Sequence, residues 1–147
     1  MSLRHRHRSS ETPETEVLPC SSTSESDAFW WWPPSCPAAN ALTADEDEIW
    51  NAGRFAPAGI RFAFDAPFRC SRIELLPCMV PANGAVVHEF RSGGGVYQIR
   101  TEATDRRWIR VEFEGGGMEI EKLDIVTLSS PSWVAWRRVR FWKHLSD

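Results

Sequence analysis

From Gly59 onward apolar and polar positions alternate with a period of two, and turn-forming residues interrupt the alternation at regular intervals. Ile60, Phe62 and Phe64 share one parity and Arg61 and Ala63 the other. "DAP", which follows, is expected to close this strand because proline has no N–H to give to a ladder. "CSRIELL" predicts the next strand, and Pro77, Pro81 and the pair Asn83-Gly84 mark a loop after it. "AVVHEFR" and "VYQIRT" flank "SGGG", so residues 85–101 read as a hairpin whose glycines supply positive φ angles at little steric cost. A phosphate cradle is a poorer account of those glycines, since no Lys-Ser/Thr follows and no helical pattern starts there. "RWIRVEF" places Ile109, Val111 and Phe113 on one face, "EGGG" turns the chain into "MEIEKLDIVTL", and "WVAWRRVRFW" ends the series. No segment carries an amphipathic helix of ordinary length. Seven or eight strands in about 110 residues predict an all-β fold, an antiparallel sandwich or jelly roll.

The N-terminal stretch reads differently. Residues 1–28 are rich in Ser, Thr, Glu and Pro and contain no aromatic residue, so they offer too little apolar surface to offset the entropy of ordering. They are expected to form a disordered tail, leaving 29–147 as one domain, which suits a chain of 147 residues with a single core. "RHRHR" near the start reads as a solvated charge run.

Charge names no partner: 17 basic and 20 acidic residues give a formal net charge of -3. Eight tryptophans against one tyrosine are the compositional anomaly. No apolar run approaches the roughly 20 residues of a membrane span, and no apolar signal segment stands at the N-terminus. The expectation is a soluble chain, cytoplasmic by default. Cys20, Cys36, Cys70 and Cys78 show neither a CxxC pair nor a zinc spacing, which points to incidental thiols rather than sulfur-bound metal or disulfides.

Catalytic signals are weak. The many carboxylates have no context that separates them from surface charge, GxSxG is absent, and no Ser-His-Asp grouping assembles without arbitrary choice. His88 lies on the parity of Val86 and Phe90, so it is expected to point inward as a satisfied core histidine. The chain is read as a non-enzyme.

The order of signals carries a resemblance. "PAANALTADEDEIWNAGRFAPAGIRFAF" resembles the opening of discoidin-like (factor five/eight type C) domains, and "SPSWVAWRRVRFW" looks like their closing strand. The similarity runs over about residues 35–142 and implies the galactose-binding-like jelly roll. It also implies, for carbohydrate-binding members, a structural calcium between the acidic loop and a Glu on the last strand, because calcium takes six to eight hard oxygens. Asp45 and Asp47 are then the candidate ligands, with Asn40 and Ala44 as further oxygen donors. The departure is that Arg137 and Arg138 stand where an acidic residue is expected. Two readings without metal remain open: "DEDE" is a solvated turn, or its carboxylates pair with the C-terminal arginines. Either leaves no cofactor, and Trp50 after the cluster is expected to anchor the core.

The resemblance further implies a ligand site in the loops at one end of the barrel. In this chain those loops supply Asn51, Arg54, Phe55, Asn83, Ser130 and Trp133, which suit a glycan whose C–H faces stack on rings while its hydroxyls meet polar side chains. Trp31, within "FWWWPP", is a further candidate platform, since three successive tryptophans in an extended chain cannot all face one way. The function expected is carbohydrate recognition. The alternative is a protein-interaction or self-association module using Trp136, Arg138, Arg140 and Trp142, which alternate on one parity of the last strand. The acidic balance disfavours nucleic acid.

Overall fold

Ten strands in two antiparallel sheets enclose one main core in the computed structural model, which describes residues 13–24, 36–93 and 95–145. They are β1 (Glu14–Val17), β2 (Ser21–Thr23), β3 (Trp50–Asn51), β4 (Ala58–Cys70), β5 (Arg72–Pro77), β6 (Asn83–Ser92), β7 (Gly95–Thr104), β8 (Ile109–Glu112), β9 (Met118–Ser129) and β10 (Ala135–His144). One sheet runs β1-β10-β5-β8, with β3 also paired to β10; the other runs β2-β4-β9-β6-β7. A single 3-10 turn, Ala38–Leu42, is the only helical element among the described residues. The arrangement is the all-β antiparallel sandwich of the jelly-roll type.

Period-two alternation explains the core. Ile60, Phe62 and Phe64 from β4 meet Val139 and Phe141 from β10, with Phe62 and Phe64 each holding their ring centroid 5.0 Å from that of Phe141. Trp50 is fully buried beside its cross-strand partner Trp136, as expected of the core anchor. The β6–β7 hairpin turns where the glycine run predicted it, and Gly93 takes φ +53°, a conformation that costs glycine nothing.

Three expectations are corrected. "DAP" does not end its strand: β4 continues to Cys70, and the register with β9 shifts between Ala63 and Phe68. Pro67 sits inside that irregularity, where a missing N–H leaves no ladder bond open.

The tail expected over 1–28 begins its ordered part earlier than composition implied. β1 pairs with β10 and β2 with β4, while residues 1–12 and 25–28 lie outside the described residues. β2 is held by main-chain bonds to β4, and β1 by main-chain bonds to β10, by Val17 against the core and by charge. Glu14 reaches Arg72 at 3.0 Å, and Glu16 reaches Arg140 at 3.4 Å and Arg138 at 4.0 Å.

The third correction concerns the last strand. A register shift between Trp136 and Arg138 breaks the expected parity, so Trp136 turns into the core while Arg138, Arg140 and Trp142 stay outside. The row of four is thereby reduced to three.

Candidate binding site at the loop end

A hollow of about 300 Å³ opens at one end of the sandwich, lined by Asn51, Phe55, Val80, Ser132 and Trp133 with Cys78 at its wall. Three loops meet there. The first leaves β3, and the Asn51 carboxamide oxygen accepts the Gly53 N–H at 2.8 Å, a local turn bond that sets the path toward Phe55. The second follows β5 through Cys78 and Val80. The third leads into β10, where the Ser132 hydroxyl accepts the Val80 N–H at 3.1 Å and donates to the Trp133 carbonyl at 3.0 Å. Ser132 is buried and ties the second loop to the third.

The rings at the rim are the chemically expressive feature. Phe55 is 57% exposed and Trp133 37%, and they meet edge to face with centroids 6.0 Å apart and planes at 86°. Exposed apolar rings beside Asn and Ser groups offer stacking and hydrogen bonding together, which is what a sugar ring requires.

Beneath the hollow lies His88, buried, with Nδ1 3.0 Å from the Thr127 hydroxyl and its ring 4.9 Å from that of Trp136. Burial disfavours the imidazolium and pushes its pKa down to about 4, so His88 is neutral near pH 7. It is the satisfied core histidine expected. None of the four cysteines forms a disulfide among the described residues; burial pushes the Cys70 thiol up to about 12 and raises those of Cys36 and Cys78.

The structure brings Asn51, Phe55 and Trp133 together at the hollow; Arg54, Asn83 and Ser130 do not line it. Arg54 stands on the same loop but lines a wider groove of about 420 Å³ over the outer face of β4 and β9. There Arg61 is clamped by Asp124 at 2.7 and 2.9 Å, and Arg91 pairs with Glu89 at 2.6 Å. Asn83 starts β6 opposite Thr104 and does not line the hollow, and the Ser130 hydroxyl accepts the Ser132 N–H at 3.1 Å. Trp31 lies outside the described residues. The sequence assigns the loops "CMVPANG" and "SSPSW" to this end but singles out none of Cys78, Val80 and Ser132 within them.

A calcium ion does not fit the acidic loop. Arg137, nearly buried by the same register shift that turns Trp136 inward, donates to the Glu46 carbonyl at 3.1 Å and to Asp105 Oδ1 at 3.4 Å, and lies 3.9 Å from Asp47. Arg106 donates to Asp47 at 3.0 Å. Asp45 instead accepts the Asp47 N–H at 2.9 Å, forming a turn. Two guanidinium groups thus stand where a divalent cation would need open oxygens, and they repel it. Asp105 also accepts the Met79 N–H at 2.9 Å, so Arg137 links the acidic loop to the Cys78–Val80 loop of the hollow.

The outer face of β10 is internally occupied. Arg140 and Arg72 stack on the Trp142 ring at 4.6 and 4.7 Å, the Trp142 indole N–H donates to Glu74 at 2.9 Å, and Arg140 lies 5.8 Å from the Trp108 ring. The face expected to recruit a partner spends its groups on its own strands.

The fold so described is that of the galactose-binding-like jelly roll found in family 32 carbohydrate-binding modules. The chain is similar to the family 32 module of Clostridium perfringens NanJ, solved in complex with galactose: TM-score 0.68, 14% identity, 89% of this chain and 100% of that one covered. It is similar to the family 32 module of AlyQ, solved with 4,5-unsaturated mannuronic acid, at TM-score 0.67 and 10% identity over 86% of this chain and 97% of that one. A pectin-binding carbohydrate-binding module matches at TM-score 0.66 and 13% identity over 85% and 91%. No family model and no curated protein matches the sequence. No helix among the described residues is long and apolar enough to cross a membrane.

Proposed function

We propose that this protein is a non-catalytic carbohydrate-binding module that takes a glycan in the loop-end hollow. The observation that carries the reading is the exposed Phe55–Trp133 pair at the rim of a hollow that also holds Asn51, on a fold whose solved neighbours include modules holding sugars. Phe55 and Trp133 supply the stacking surface. The Asn51 side-chain amide N–H groups and the hollow's main-chain groups supply hydrogen bonds, while Ser132 holds two loops in register. The site needs no metal, because Arg137 already braces the loops behind it.

The test is a glycan array followed by calorimetry on each hit, with Trp133→Ala in parallel. A specific hit that Trp133→Ala weakens about tenfold or more, with unchanged unfolding, supports the reading, since loss of one stacking ring costs about 1–3 kcal/mol. Silence on the array, or a hit indifferent to Trp133→Ala, removes it.

A further inference from the structure

Five strands form the outer edges of the two sheets, the two-residue β3 among them, and one is unlike the rest. β1 and β8 have four residues each and β2 three, whereas β7 has ten. Short edge strands leave few main-chain groups for another chain to pair with; a long one leaves a whole row. β7 pairs only with β6 among the described residues, so every second residue along it turns its N–H and C=O away from the sheet. It contains no proline and no lysine, and Val96 and Tyr97 near its start are 64% and 41% exposed. The usual guards of a sheet edge are missing.

Its charges point to what covers it. Every other arginine on a strand has a carboxylate within 4.0 Å: Arg61, Arg69, Arg72, Arg91, Arg110, Arg137, Arg138 and Arg140. Among the described residues Arg100 on β7 is the exception, and Glu102, two positions on and on the same face, has no ion pair either. Both are exposed.

We infer that β7 pairs antiparallel with β7 of a second copy of this chain about a two-fold axis through Thr101. In that register Arg100 faces the partner's Glu102 and Glu102 faces the partner's Arg100. Ile99 lies opposite Ala103, and Gln98 opposite Thr104, by the same count. Opposite charges directly across strands are stabilising and like charges destabilising, so the arrangement is self-complementary in the way a two-fold interface requires. The register slipped to an axis through Ile99 sets Val96 against Glu102 and loses both charge pairs, which selects the first. The two five-stranded sheets become one, and the particle carries two loop-end hollows, a geometry that raises avidity for a repeating polymer.

Sedimentation equilibrium of the full chain over a range of concentrations tests this. The wild type is expected to be a dimer. Arg100→Glu alone, or Glu102→Arg alone, sets like charges against each other twice and is expected to weaken dimerisation about tenfold or more with unchanged circular dichroism. Mixing the two single variants pairs an all-acidic edge with an all-basic one and restores a dimer, as does the double exchange R100E/E102R. A monomeric wild type, a single variant that dimerises as tightly as wild type, or a mixture that stays monomeric overturns the inference. None of these readouts uses a glycan, so the outcome is independent of the binding proposal.

Discussion

The loop-end hollow and the outer face of β10 each present a tryptophan, Trp133 and Trp142, in contrasting surroundings. At the hollow, Phe55 and Trp133 present ring surface at the rim with the polar wall of Asn51 and Ser132 behind them. On β10, Trp142 is sandwiched between Arg72 and Arg140, and those guanidinium groups are paired in turn with Glu14, Glu16 and Glu74. On β10 the cations lie beside two glutamate-bearing strands that supply their counter-charges, whereas no cation among the described residues lines the hollow and its two rings stand exposed at the rim.

Four measurements sharpen that contrast, in falling order of expected effect. The largest concerns the buried support of the hollow. His88 has a folded pKa of about 4 against an ordinary value of 6.5, so on acidification the unfolded chain takes up the proton first. Its contribution is therefore complete above pH 6.5 and lost as pH falls toward 4. The expected loss is about 3 kcal/mol, and urea unfolding across that range should show a steeper decline for wild type than for His88→Gln.

Next, Arg137→Met is expected to cost about 2 kcal/mol and to weaken ligand binding, because Asp105 and the Glu46 carbonyl lose their shared donor and the Cys78–Val80 loop loses its brace. Unchanged unfolding would break the claim that this guanidinium braces the loops. Arg140→Ala on the outer face should cost at most about 1 kcal/mol, since its network is partly solvated, and should leave glycan affinity unchanged. A loss of affinity there would erase the distinction between the two regions. The smallest expected effect is that of a chelator: melting and binding should not move, and stabilisation by added calcium would overturn the Arg137 reading.

Much of the fold was legible because β alternation is a local signal. The faces of β4, β8 and β9, the β6–β7 turn and the inward His88 all follow from residues within a few positions of each other, and the buried Trp50 was what the resemblance implied. The site was legible only in part. Loop residues have no period, so the loop holding Cys78, Val80 and Asn83 could be assigned to this end, but nothing along the chain said that Cys78 and Val80 would line the hollow and Asn83 would not.

What the sequence by itself determined was therefore the class of structure: an all-β sandwich, with the inward face of β4 through Ile60, Phe62 and Phe64 and the β6–β7 turn. What only the tertiary structure decided was everything set by partner strands. The irregularity in β10 that buries Trp136 and Arg137 exists because β10 must pair with both β3 and β5, and the order of β1 exists because Arg72, Arg138 and Arg140 wait for its glutamates. Period-two parity propagates along one strand only until a neighbour shifts its register, and counter-charges dozens of residues away carry no local mark of the contact they will make.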